Sequence, residues 1–230
     1  MEKHTVHSYD KELNKLRNSV INMASLVKDL VSIANYAIQD PTKSFVQLAD
    51  STDKKINHFD SEIEHLAIHV LALRQPMAID LRQVISALKL AVILERMGDL
   101  AKKISNRIEY LPITLNDNLI NLIYSTIREL ERLLTDVINA YENLDKELAL
   151  TVSKQDNLID DYYHQIMELL ESELETKPEQ AKSLLNIVLI ARNFERIGDY
   201  ISKIAYLTHY IITGEQLTSL NSEVSHKPYE

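Results

Sequence analysis

Apolar residues recur three and four apart through most of this chain. Between residues 9 and 39 they stand at Leu13, Leu16, Val20, Met23, Val27, Leu30, Ala34 and Ala37. That alternation keeps one face of a long helix apolar from end to end. Asp40-Pro41 stops it, because the residue before proline is pushed out of the α region. A short helix is expected over 42–49. A second long helix is expected over 52–73, with Ile56, Phe59, Ile63, Leu66, Val70 and Leu73 on its core face. Arg74-Gln75-Pro76 breaks it. Pro76 suits the first turn of a third helix, where its missing N–H costs nothing, and that helix reaches residue 110.

The order then repeats. A fourth helix over 118–148 carries Leu119, Leu122, Leu130, Leu133, Val137 and Leu144 on one face, and a fifth covers 153–175. Thr176-Lys177-Pro178-Glu179 has capping-box spacing with an early proline, which opens a sixth helix. The sixth reaches residue 212, and Gly214 serves as its stop. Residues 215–230 are polar and aperiodic, and are expected to fray. The pattern therefore predicts an all-α protein, a tandem repeat of two antiparallel three-helix bundles. The first spans 7–112, the second 113–213, and a polar tail occupies 214–230. Three amphipathic helices alone leave apolar surface outside, so the two bundles are expected to pack together.

Composition supports this and narrows the function. Gly and Pro total only eight residues, which favours helices throughout. A net charge of −9 argues against a nucleic-acid role, because phosphate backbones need a basic footprint. The absence of cysteine removes disulfides, thiolate metal sites and a cysteine nucleophile. The first residues hold no apolar signal core, and the apolar run Leu90–Leu94 is far too short to span a bilayer. A cytoplasmic protein is expected, with any membrane association peripheral. No glycine-rich phosphate loop is present.

Two of the three glycines sit in copies of one motif, E-R-x-G-D-x-x-x-K-I. The copies are Glu95-Arg96-Met97-Gly98-Asp99 and Glu195-Arg196-Ile197-Gly198-Asp199, offset by 100 residues. Glu95 and Asp99 are four apart, so both project from one helix face, at the edge of the apolar stripe. Asp156 and Asp160 hold the same relation at the start of helix five, and Asp53 and Asn57 at the start of helix two. In an antiparallel bundle these starts lie level with the E-R-x-G-D segments. Two oxygen-rich sets result: Asp53, Asn57, Glu95 and Asp99 in the first repeat, and Asp156, Asp160, Glu195 and Asp199 in the second. Such sets suit hard cations: magnesium, calcium, manganese or iron, with zinc also open. A solvated acidic rim would show the same spacing. A glycine inside a helix costs about 1 kcal/mol against alanine, so Gly98 and Gly198 imply close approach of a neighbouring helix.

Other signals are weaker. Arg82, Lys89, Arg96 and Lys103 recur every seven residues. Lys182, Arg196 and Lys203 do so in the second repeat, with Leu189 in the missing place. A solvated, ion-paired row is expected there rather than an anion site. Glu62-x-x-His65 and Asp161-x-x-His164 approach a di-iron motif. His65 and His69 lie off the core stripe, however, and are expected on the surface.

The segment from Arg74-Gln75-Pro76-Met77 through Leu88-Lys89 to Glu95-Arg96-Met97-Gly98-Asp99-Leu100 resembles the PhoU family, the cytoplasmic regulators of phosphate uptake. So do His7-Ser8-Tyr9-Asp10-Lys11-Glu12-Leu13 and the second-repeat Phe194-Glu195-Arg196-Ile197-Gly198-Asp199. The resemblance covers residues 7–212. It implies two three-helix bundles, metal clusters held by paired E(D)-x-x-x-D motifs, and dimers or higher oligomers. It also implies a non-enzymatic negative regulator. Its partners would be the ATPase subunit of a phosphate ABC transporter (PstB-like) and a sensor histidine kinase (PhoR-like). Asn57 departs from the pattern, since Asp160 stands at the matching position, so the first site should hold its metal more weakly. A di-iron carboxylate oxidase and a metal-free helical scaffold remain as alternatives.

Overall fold

The computed structural model describes residues 2–40, 42–109, 111 and 116–216, with the backbone alone for 2–8 and 156. The described residues form seven α-helices and no strand. They are α1 (Glu2–Gln39), α2 (Val46–Arg74), α3 (Ala78–Ile108), α4 (Asp117–Asn143), α5 (Lys146–Ser153), α6 (Asp156–Thr176) and α7 (Ala181–Thr213). Helices α1, α2 and α3 pack mutually, and α4, α5, α6 and α7 form the second bundle. The bundles join through α3 against α7 and α1 against α4, so one continuous core runs through both.

The apolar stripes account for this packing. Met23, Val27 and Leu30 of α1, Ile56, Ile63 and Val70 of α2, and Leu90, Leu94 and Met97 of α3 are all buried. Their counterparts Ile123, Leu130, Ile159, Ile166, Ile190 and Ile197 fill the second bundle. Polar contacts pin the junction. Lys28 Nζ donates to Thr135 Oγ1 (3.1 Å) and Ser32 Oγ to Glu131 Oε1 (2.6 Å) between α1 and α4. Arg82 Nε donates to the Ile211 carbonyl (3.0 Å) and Arg107 Nη1 to Asn186 Oδ1 (3.1 Å) between α3 and α7. At the far end of the first bundle, Arg74 forks onto Glu12 at 2.6 and 2.9 Å, and the Tyr9 hydroxyl donates to Asp80 at 2.9 Å.

Several boundaries differ from those the pattern predicts. No separate helix forms over 42–49. Thr42 and Lys43 instead hold the Asp40 carboxylate in a turn, and α2 then runs unbroken from Val46. Its first turns stay helical because Ala49, Thr52 and Asp53 are buried on the same face as Ile56. Pro76 lies before the N-cap Met77 rather than in the first turn, after Gln75 ends α2 in the left-handed region (φ 48°). In the second repeat, helix four stops at Asn143 instead of residue 148. Leu144 turns left-handed (φ 51°), and the Asp145 carboxylate accepts from Glu147 N and Leu148 N to start α5. Thr176 ends α6, donating to the Ser172 carbonyl, and does not cap the next helix. Pro178 starts a 3₁₀ turn that leads into α7. Gly214 closes α7 in the left-handed region (φ 78°), as its position predicts. Most of the expected tail, 217–230, lies outside the described residues.

Candidate functional site

Both glycines of the repeated motif sit where a neighbouring helix crosses. A Cβ added at Gly98 would lie 3.0 Å from Ile56 Cδ1 of α2, and one at Gly198 would lie 3.2 Å from Ile159 Cβ of α6. These are equivalent contacts in the two repeats. They bring α2 and α6 down onto the E-R-x-G-D segments, which sets Asp53 and Asp60 of α2 and Asp160 of α6 beside the motif acids.

In the first repeat Glu95 is held above the ordinary carboxylate range. Burial is the main cause, followed by the charges of Asp99, Asp60 and Asp53, with Arg96 opposing. Asp53 is buried beside it. Its carboxylate accepts from Lys102 Nζ at 2.9 Å, and the same ammonium reaches Asp50 at 3.0 Å. Lys102 is thus an internal cation set among the acids. Asp99 accepts from Lys103 at 3.3 Å in an exposed pair, and Asn57 is exposed. Asp50, Asp60 and Lys102 were absent from the sequence-based set. Lys102 is three residues past Asp99 and Asp60 three past Asn57, so helical spacing already placed them on the same faces.

The second repeat gathers Asp160, Glu195 and Asp199. Burial raises Glu195, and the charges of Asp199 and Asp160 add to it, against Arg192 and Arg196. Burial also raises Asp160, with Asp199 next, while His164 opposes. Among the described residues none of these three carboxylates has an ion pair or hydrogen bond, and Ser202 stands where the first repeat has Lys102. Asp156 opens α6, but its side chain lies outside the described residues.

Among the described residues no three Asp, Glu or His side chains converge closely enough to hold a metal ion. The donor chemistry in the second repeat still fits a hard cation, since it consists of carboxylates, and burial and neighbouring negative charge push Glu195 and Asp160 toward protonation. In the first repeat Lys102 already supplies positive charge to Asp53. His65, His69 and His164 are exposed, and Glu62 pairs with Lys15 at 3.1 Å.

The basic row departs from expectation. Among the described residues Lys89, Arg96, Lys182 and Arg196 have no carboxylate within 4.0 Å. Lys203 lies 4.9 Å over the Tyr200 ring, and Arg82 is committed to the end of α7. The row is solvated, and among the described residues only its Lys103 is ion-paired. No helix among the described residues is long and apolar enough to cross a membrane.

Comparison with known proteins covers nearly the whole chain. The PhoU domain matches residues 20–108 and again 119–208. A phosphate-specific transport system accessory protein PhoU homolog of Caulobacter vibrioides is 35% identical, over 95% of this chain and 96% of the relative. A homolog of Pseudomonas aeruginosa is 30% identical, over 96% and 94%. The crystal structure of PhoU from Pseudomonas aeruginosa superposes with a TM-score of 0.82 at 30% identity, over 90% of this chain and 100% of that one. The phosphate transport system regulatory protein PhoU from Streptococcus pneumoniae gives 0.84 at 27% identity, over 91% and 99%.

Proposed function

Since the chain belongs to the PhoU family, we propose that it is an accessory protein of a phosphate-specific transport system and restrains phosphate-responsive signalling. It acts in the cytoplasm as an adaptor, without catalysis of its own. It contacts the transporter's ATPase subunit and a sensor histidine kinase, and assembles as a dimer or higher oligomer. The observation that carries this reading is the double match. Both PhoU domains are present, and each central helix keeps E-R-x-G-D against a glycine-permitted crossing. Deleting the gene should leave phosphate-starvation genes switched on in high phosphate. Continued repression in that strain would falsify the adaptor reading.

The acids are part of the same proposal. Glu195, Asp199, Asp160 and Asp156 hold a hard divalent or trivalent cation, which neutralises carboxylates that otherwise repel one another. Glu95, Asp99, Asp53 and Asn57 form the weaker site. It has one carboxylate fewer, and Lys102 already binds Asp53. That ammonium favours a metal-free scaffold as the second reading for the first repeat alone. Elemental analysis after native purification tests this, with metal expected in the protein and lost in the Glu195→Ala, Asp199→Ala variant.

A further inference from the structure

The seam where α3 crosses α7 has a character opposite to that of the whole chain. The helices run antiparallel along it, and three clefts follow one another. The first, of about 620 Å³, is lined by Leu88, Val92, Ile93 and Leu207 together with Lys89 and Lys203. The second, of about 180 Å³, places Arg96 and Arg196 around Asp99. The third, of about 630 Å³, joins Lys103, Arg107 and Lys182 to the polar side chains of Asn106 and Asn186. Seven cations thus line the seam against one carboxylate, on a chain whose net charge is −9. Of these seven cations only Lys103 has a carboxylate within 4.0 Å among the described residues. Two exposed apolar side chains sit in the same stripes: Val92, between Lys89 and Arg96, and Leu189, between Lys182 and Arg196.

We propose that this groove is the docking surface for an acidic amphipathic α-helix of a partner protein, which locates a contact that the adaptor reading requires and rests on that reading. Shape, length and charge agree on the occupant. A seam between two antiparallel helices is concave and accepts the ridge of a third. From Lys89 to Arg107 the groove spans roughly 27 Å at 1.5 Å per residue, which is about five turns of helix. Local positive charge steers a negative segment here, while the acidic remainder of the chain repels it elsewhere. The apolar cleft at one end takes the anchors of an amphipathic face. A polyphosphate chain has no use for that cleft, and a flat bilayer does not enter a concave seam.

The test titrates the full chain with labelled 18-residue helical peptides and follows fluorescence anisotropy. One peptide carries leucines along one face and glutamates elsewhere. A second has the same composition with the leucines scattered. The variant Lys89→Glu, Lys182→Glu, Lys203→Glu changes three exposed cations of the groove, none of them in the two proposed metal sets, and circular dichroism checks its helicity. The amphipathic peptide should bind at least tenfold more tightly than the scattered one and weaken as salt rises. The triple variant should lose at least tenfold in affinity. Equal binding of the two peptides, no binding, or binding unchanged in the triple variant each overturns the proposal. So does a groove that takes anionic phosphatidylglycerol vesicles or inorganic polyphosphate in preference to the peptide. The deletion phenotype reads the adaptor function without reference to any surface, so failure of the groove and failure of the adaptor reading give different results.

Discussion

Glu95 and Glu195 show how one residue in one motif acquires different surroundings. Both are raised above the ordinary range chiefly by burial, and both are raised further by an aspartate four residues on. Their other neighbours differ: Asp60 and Asp53 for Glu95, Asp160 for Glu195. A carboxylate raised in the folded state holds its proton longer there than in the unfolded chain. Its contribution to stability is fully present below the unfolded value of 4.5 and is lost as pH rises through the folded one. In chelator-treated protein, unfolding by urea should therefore become easier as pH rises from about 4.5 toward neutrality. Glu195→Gln should flatten that slope and raise the midpoint at neutral pH. An unchanged slope would mean that Glu195 is not strained by its neighbours. With a divalent cation bound the slope should also flatten, because the charged form then has a partner.

Among the helices, the glycine crossings fix the site more tightly than the acids do. At Gly98 the nearest obstacle is Ile56 Cδ1, the end of a flexible side chain. At Gly198 it is the branched base of Ile159, with Cβ, Cγ1 and Cγ2 all within 3.3 Å. Alanine gains about 1 kcal/mol of helix propensity at either place, while overpacking costs roughly 1–3 kcal/mol. Gly98→Ala should therefore fall near neutral and Gly198→Ala should destabilise by about 1 kcal/mol in urea unfolding. Asp145→Ala should cost a similar ~1 kcal/mol, because it removes the cap of α5. Hydrogen exchange should rise in α5 before it rises in α4. These contrasts also mark what the sequence could show. Long helices were legible because their apolar period is unambiguous, and the glycine crossings because glycine is otherwise so rare here. The break at Leu144 was not, since Val137, Ala140, Leu144 and Leu148 continue the stripe straight across it. The expected break before residue 52 does not exist because Ala49, Thr52 and Asp53 continue the buried face. Paired acids were legible from spacing alone. The ammonium of Lys102 between Asp50 and Asp53 depends on the register of α2 against α3, which no single-helix pattern contains.

At the scale of the molecule, the two repeats share one core yet treat charge differently. In the first, Lys102 sits among the acids; in the second, Ser202 occupies that position and Asp160 replaces Asn57. An internal ammonium and an external cation compete for the same carboxylate, because each is stabilised by the same negative field. Elemental analysis of variants separates the repeats. Glu195→Ala with Asp199→Ala should remove most of the bound metal, and Glu95→Ala with Asp99→Ala should remove less. Lys102→Met leaves Asp53 buried without its ion pair, which should cost about 2 kcal/mol, in the range for hydrogen bonds to charged groups. Added magnesium or manganese should recover part of that loss and raise the metal content, since the vacated charge then falls to the cation. If both repeats lose metal equally, the asymmetry is wrong. If Lys102→Met loses stability that no cation restores, then Lys102 is a structural ion pair and the first cluster is not a metal site at all.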